Sequence, residues 1–246
     1  MAERGAKVRL FVEADLGAGA RVALAPEQVH YLLMVMRLGP GDRVAAFNGR
    51  DGEWICAVEP AGKRAGALVA EAPGQPQRRP PDLELLFAPI KKARTDFIVE
   101  KAAELGAARV RPVFTRLTNA ERLNPERLRA HAVEAAEQCG ETWVPEVAAP
   151  VRLEAALDAW DPARRLMFCD EARDAPPAAE ALAGAPRGPW AILIGPEGGF
   201  APEEAARLRA MPEALRVTLG PRVLRADTAA VAAITLWQAA LGDWRA

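Results

Sequence analysis

The chain has 246 residues, 50% hydrophobic and 26% charged, with 32 basic against 33 acidic side chains and a formal net charge of −1. That balance describes a folded protein with a sizeable core, in one domain or two of unequal size, and excludes a disordered or collagen-like chain. No apolar run reaches the ~20 residues of a membrane-spanning helix, and the N-terminal segment carries charges throughout with no signal-peptide stretch, so a cytoplasmic location is expected.

The first third alternates in the manner of short strands: Val8 to Val12, Arg21 to Leu24, Arg43 to Phe47, Glu53 to Val58 and Ala67 to Glu71. Asn48-Gly49 and Asp51-Gly52 mark a hairpin between two of them, and one helix, Glu27 to Met36, interrupts the series. This pattern predicts a small β-barrel-like module over residues 1–73, a shape often used to bind RNA. Pro73 to Pro81 (PGQPQRRPP) continues neither a helix nor a central strand, so residues 74–81 read as a linker.

Residues 82–246 alternate strand and helix, which predicts an α/β domain with a parallel sheet covered on both faces. Leu83 to Ala88 is a buried strand; Thr95 or Asp96 caps a helix that Gly106 ends. Val110 to Phe114 is the next strand, and Asn124 before Pro125 opens a helix running to Cys139. Strands near Leu166 to Cys169, Ala191 to Ile194 and Val217 to Leu219 follow, with helices from Pro202 and from about Thr228 to Leu241.

Several chemistries are absent. There is no serine, which removes serine nucleophiles and every serine triad. Cys56, Cys139 and Cys169 share no metal-ligand spacing and read as reduced thiols, and with only His30 and His131 no metal centre is expected. The charge is unevenly spread. Lys91 to Arg129 holds ten basic and five acidic residues, whereas Ala130 to Leu215 holds seven and fifteen, a distribution that suits a basic face for an anionic partner as well as ordinary solvated helices.

Two stretches near the C-terminus run from an apolar strand through a glycine-bearing loop into a helix: Trp190 to Gly199 (WAILIGPEGG) and Val217 to Ala229 (VTLGPRVLRADTA). The first has neither the Lys-Ser/Thr of a phosphate loop nor the GxGxxG frame of dinucleotide folds. Glu197 also argues against phosphate, since a carboxylate about 4 Å from one costs about 1 to 4 kcal/mol. Gly195, Gly198 and Gly199 permit positive φ and close approach to a flat adenine-like ring, and a cationic ligand tolerates Glu197. In the second loop, Gly220 and Pro221 turn the chain, Val223 and Leu224 give an apolar floor, and Asp227 reads as an N-cap. Arg225 sits at the positive end of a helix dipole, where structure alone favours an acid, so it is a candidate functional residue.

Ile194 to Phe200 (IGPEGGF) and Leu219 to Ala229 (LGPRVLRADTA) together resemble the RsmE-type 16S ribosomal RNA uridine-N3 methyltransferases of the SPOUT superfamily. Lys101 to Gly106, Glu134 to Gln138 and His30 to Gly41 (HYLLMVMRLGPG) resemble further signatures in the same order, so the likeness spans nearly the whole chain. It implies a PUA-like N-terminal domain, a trefoil-knotted α/β methyltransferase domain, S-adenosylmethionine as cofactor, 16S ribosomal RNA or the small ribosomal subunit as partner, and a homodimer. By this likeness Leu193, Ile194, Gly195, Pro196, Glu197, Gly198, Gly199, Leu219, Gly220, Val223, Leu224, Arg225, Thr228 and Ala229 line the cofactor site. Arg9, Arg37, Lys91, Lys92 and Arg94 are candidate RNA contacts. The chain departs from the family at Ala226-Asp227, where Thr-Glu is common, and at Gly140-Glu141-Thr142, near which an arginine is often found.

Methylating N3 of uridine requires loss of the imide proton. Arg225, always protonated, is expected to stabilise the anion, with Glu197, Asp227 or a water as proton acceptor. An RNA-binding assembly factor without catalysis and a superfamily enzyme methylating a transfer-RNA ribose are the competing readings.

Overall fold

The computed structural model describes residues 6, 8–62, 65–120, 122–172 and 174–245, Arg245 by its backbone alone. The chain divides into two compact units, Met1–Arg79 with Ala136–Val144, and Pro80–Ala135 with Pro145–Ala246.

In the first unit β1 (Val8–Phe11), β2 (Arg21–Ala23), β3 (Arg43–Phe47), β4 (Glu53–Pro60) and β5 (Gly66–Pro73) form one sheet in the order β1-β3-β4-β5-β2. Only β1 and β3 run parallel; the remaining neighbours are antiparallel. Every strand gives the core at least one side chain, among them Leu10, Val22, Val44, Cys56 and Leu68. The predicted helix divides into α1 (Pro26–His30) and a π-helical turn (Tyr31–Val35) that sends Leu32 into that core. Asn48 shapes the hairpin: its Oδ1 accepts from the N–H groups of Arg50 and Asp51 at 3.0 and 2.9 Å.

The proline-rich segment lies along this unit. Gln75 O accepts from Glu53 N at 2.8 Å, Glu53 O from Gly74 N at 2.7 Å, and Thr142 Oγ1 from Arg78 N at 3.0 Å. Gly52, at φ +76°, permits this approach, because a Cβ there would stand 2.8 Å from Gln75 O. Arg9 has a structural task. Its Nε–H donates to Glu53 at 2.8 Å, its remaining N–H groups reach the carbonyls of Ala136, Glu137 and Glu141, and its guanidinium lies 4.5 Å from the Phe47 ring centre.

The second unit is built on seven strands: β6 (Leu83–Phe87), β7 (Arg109–Phe114), β8 (Glu146–Val147), β9 (Val151–Arg152), β10 (Arg165–Cys169), β11 (Trp190–Ile194) and β12 (Ala214–Val217). The order is β12-β10-β11-β6-β7-β8, with β9 also on β7, and all pairings are parallel, as the strand and helix alternation predicts. Both β6 and β11 are buried at every residue, the mark of a sheet covered on two faces. Leu86, Phe168 and Leu193 pack with Leu153 and Leu157 of α4 (Leu153–Asp158) and Leu208 of α6 (Pro202–Ala210). Elsewhere α2 (Lys92–Glu104) and α5 (Ala178–Ala183) pack on α7 (Ala226–Leu241), which also meets β11. The helix α3 (Pro125–Cys139) opens as predicted, with Asn124 Oδ1 accepting from Arg127 N at 3.1 Å.

Two predicted caps are different. The N-cap of α2 is Lys91, and Thr95 lies inside the first turns because its hydroxyl turns back onto Ile90, bonding its N–H at 3.0 Å and its C=O at 3.1 Å. The N-cap of α7 is Arg225 rather than Asp227; the Asp227 carboxylate is taken by Arg94 at 2.9 Å, which ties α7 to α2. The short elements α4, α5, β8 and β9 carry no clear periodic signal and were not anticipated.

Asp170, directly after β10, links three elements. Its carboxylate accepts two bonds from Arg209 of α6 at 2.8 and 2.9 Å and one from Arg216 of β12 at 3.0 Å, while its side chain is 1% exposed. The hydrogen bonds from Arg209 hold its pKa down at about 2 against an ordinary 3.8. A depressed carboxylate stabilises the fold above its unfolded pKa and loses that contribution as pH falls through its folded value. Wild type should therefore lose at most about 2 kcal/mol relative to Asp170→Asn between roughly pH 5 and pH 2, as read by urea unfolding. A stability gap between the two proteins that is the same at both ends of that range would contradict the role of this ion pair.

Candidate functional site

All strands of the second unit being parallel, their C-terminal ends share one edge, where backbone groups leave the ladder free to meet a ligand. Three adjacent strands open there into a pocket of about 240 Å³. After β10 come Asp170 and Glu171; after β11, Gly195, Pro196, Glu197 and Phe200; after β12, the loop from Thr218 to Arg225, leading into Ala226 and Ala229 of α7.

Ten of the predicted cofactor residues line this pocket: Ile194, Gly195, Pro196, Glu197, Leu219, Gly220, Val223, Leu224, Arg225 and Ala229. Four stand outside its lining. Leu193 is buried in the core on the face toward α4 and α6, as strand alternation requires. Gly198, Gly199 and Thr228 adjoin lining residues in sequence but are not part of the pocket wall.

The glycines of the first loop use the freedom expected of them in different ways. Gly199 alone of that loop adopts positive φ, at +73°, and a Cβ there would overlap the Glu171 carboxylate. Gly195 makes room for a ring instead: a Cβ would come within 2.6 Å of Phe200, which stacks edge-on against Phe168 at 5.4 Å. Glu171 accepts from Phe200 N at 3.2 Å and so fixes the return of the first loop.

Cys169, Asp170, Glu171, Phe200, Thr218, Arg222 and Ala226 also line the pocket and were missed. The signal was present in the acidic pair following an apolar strand at Phe168-Cys169-Asp170-Glu171. Burial pushes the Cys169 thiol up to about 12, which suits an inert wall and not a nucleophile.

The pocket lining carries charges of both signs. The floor is apolar, with Ile194, Leu219 and Leu224, and Asp170 is already neutralised by its arginines. Glu171 and Glu197, from the segments after β10 and β11, supply carboxylates, and Arg222 and Arg225, from the loop after β12, supply exposed cations. Neither Glu197 nor Arg225 has an ion-pair partner among the described residues, so both charges are available to a ligand.

The candidate RNA contacts fall into three groups. Lys91 and Lys92 are exposed at the start of α2, on the same sheet edge as the pocket. Arg94 is engaged with Asp227. In the first unit Arg9 is committed to internal acceptors and has little left for a phosphate, which corrects its reading as a free contact. Arg37 there is exposed and holds φ +54°, a left-handed conformation uncommon for a residue with a side chain. Among the described residues no group of three His, Cys, Asp or Glu side chains could hold a metal ion, and no helix is long and apolar enough to cross a membrane.

Comparison with known proteins agrees with this geometry. An RNA methyltransferase PUA domain matches residues 24–70 and an RNA methyltransferase domain matches residues 77–238. Ribosomal RNA small subunit methyltransferase E of Rickettsia conorii is 27% identical over 232 residues, covering 92% of this chain and 93% of its own. A Legionella pneumophila protein described as a methyltransferase, solved with the cofactor SAM, is 28% identical with a TM-score of 0.86, covering 96% of this chain and 98% of its own. Ribosomal RNA small subunit methyltransferase E of Neisseria gonorrhoeae, solved with S-adenosyl methionine, is 25% identical with a TM-score of 0.81 over 96% of this chain and 99% of its own. With its larger domain matched from strand β6 through most of α7, and its PUA domain in front, the chain belongs to the RNA methyltransferase domain family.

Proposed function

We propose that this protein transfers a methyl group from S-adenosylmethionine to N3 of a uridine in the 16S ribosomal RNA of the small ribosomal subunit. The observation that carries this reading is the pocket itself: an apolar floor at the ends of three parallel strands, with Glu197 from the loop after β11 and Arg225 from the loop after β12 in its lining. Relatives of matching length are named for small-subunit ribosomal RNA, and two similar structures hold the same cofactor.

The pocket suits this cofactor in polarity and charge. Ile194, Leu219, Leu224 and Ala229 offer a flat apolar seat, free backbone groups of the two loops offer donors and acceptors, and Glu171 and Glu197 favour a cation. When bound, S-adenosylmethionine supplies an electrophilic methyl group on a positively charged sulfur. The residues must then prepare the acceptor. Neutral N3 of uridine carries a proton and no free lone pair, so its N–H bond must break as the N–C bond forms. Arg225, on the pocket rim at the N-cap of α7, is placed to pair with the negative charge developing on the uracil carbonyl oxygens. Glu197, exposed and without an ion-pair partner among the described residues, accepts the proton directly or through water. Asp227 is a weaker alternative, because Arg94 already holds its carboxylate. The remaining rate enhancement comes from alignment of the methyl group with N3. A Watson–Crick edge can be reached only in an unpaired or extruded uridine.

Residues 1–73 form the RNA-binding module in this reading, 74–81 the connection, and 82–246 the catalytic domain. A homodimer, a trefoil-knotted backbone in the second unit and a cytoplasmic location belong to the same reading and rest on family membership.

Arg225→Ala should lower the single-turnover methylation rate by about a hundredfold or more while leaving S-adenosylmethionine affinity within a few fold. Equal losses in calorimetric binding and in rate would remove Arg225 from anion stabilisation. For Glu197→Gln, most of the single-turnover rate should be lost. A variant that keeps the wild-type rate shows that another group takes the proton.

A further inference from the structure

A second cleft opens on the same sheet edge and within the same unit. It lies between the segments that follow β6 and β7, and encloses about 560 Å³. Its rim carries Lys92, Arg122 and Arg127, and its apolar wall is Ile90, Leu123 and Leu128. Asp96 also faces it, but that carboxylate is buried and paired with Arg127, with His131 Nε2 at 3.7 Å. The pairing leaves a surplus of two positive charges among the lining residues, on Lys92 and Arg122. The N-terminal ends of two long helices meet at the cleft as well, since Lys92 begins α2 and Asn124 caps α3. Asn124, which lines the cleft, uses its Oδ1 for that cap and keeps its amide N–H groups as donors. Cations, an amide donor and an apolar wall within one cleft match the chemistry of a nucleotide: phosphate on the cations, base against the half-buried Leu123.

Position supports a nucleotide that belongs to the substrate strand. Arg94, two residues beyond Lys92 on α2, reaches Asp227 of α7 at 2.9 Å, and Asp227 lies two residues beyond Arg225. The N-terminal turn of α2 therefore lines the cleft through Lys92 and, through Arg94, is tied to the first turn of α7 next to Arg225. A single strand with its target base at Arg225 would run toward this end of α2, where its neighbouring nucleotide would meet the cleft. Resting on the methyltransferase reading above, we infer that the cleft bounded by Lys92, Arg122 and Leu123 seats an unpaired nucleotide flanking the methylated uridine, and so selects the sequence or conformation around it.

The test measures binding of the full-length protein to a single-stranded RNA with one central uridine, by fluorescence anisotropy at several salt concentrations. Arg122→Glu, an exposed charge reversal, should weaken RNA binding about tenfold and leave S-adenosylmethionine affinity unchanged. Lys92→Ala should reduce the slope of log affinity against log salt by about one. An abasic residue at the flanking position should weaken binding to wild type and have no further effect on Leu123→Ala, as expected when base and side chain act as one contact. Wild-type affinity in Arg122→Glu, or additive losses from the abasic site and Leu123→Ala, would overturn the assignment. Displacement of inorganic phosphate from the cleft by free mononucleotides but not by the RNA would overturn it in favour of a free-anion site. Methyl transfer to ribosomal RNA by Arg122→Glu at the wild-type rate removes the cleft alone, whereas no transfer by the wild type removes the parent reading.

Discussion

Asp170 stands where three segments that enclose the pocket would otherwise be free to separate. Strand β12 is at the edge of its sheet, paired only with β10, and α6 joins the two glycine loops. One buried carboxylate accepts from arginines on both. A lone buried charge would be costly, but three charge-assisted bonds from two guanidinium groups reverse the balance and make the position specific. The neighbouring Glu171 extends the device by accepting from Phe200 N, so that the strand end at residues 169–171 sets the course of the loop after β11 as well. The pocket thus depends on acidic residues that need not touch a ligand at all.

The charges left over explain the chemistry. With Asp170 satisfied by arginines and Asp227 by Arg94, the charged pocket residues left without ion-pair partners among the described residues are Glu171 and Glu197 on one hand and Arg222 and Arg225 on the other. A cationic donor and an acceptor that becomes anionic are the two partners such a site is built to hold. Val223, 83% exposed in the same loop, places an apolar side chain at the mouth, between Arg222 and the floor residue Leu224.

Much of this was legible in the sequence because local chemistry and tertiary structure agree there. The apolar runs at Leu83 and Trp190 are strands, Asn124-Pro125 opens a helix, and the two glycine loops do converge on one pocket. The misreadings share a cause. Thr95 and Asp227 have the side chains of good caps, but each found a different partner, Ile90 for one and the distant Arg94 for the other. Arg9 resembled a surface cation, yet it is bound to Glu53 and to carbonyls more than a hundred residues away. Long-range partners of this kind leave no periodicity and no spacing. Asp170 and Glu171 were overlooked for a related reason: an acidic pair after a strand looks like solvated turn chemistry until the parallel register brings it to the edge shared by the glycine loops.

The central claim is that this site methylates a base nitrogen, and the identity of the product tests it most directly. Purified protein, S-adenosylmethionine carrying a deuterated methyl group and unmodified small ribosomal subunits are incubated, and the 16S RNA is digested to nucleosides for mass spectrometry. The account predicts a single labelled nucleoside, 3-methyluridine, with the label retained on the base after the ribose is removed. Label on a ribose hydroxyl, or none in the 16S RNA, would contradict it.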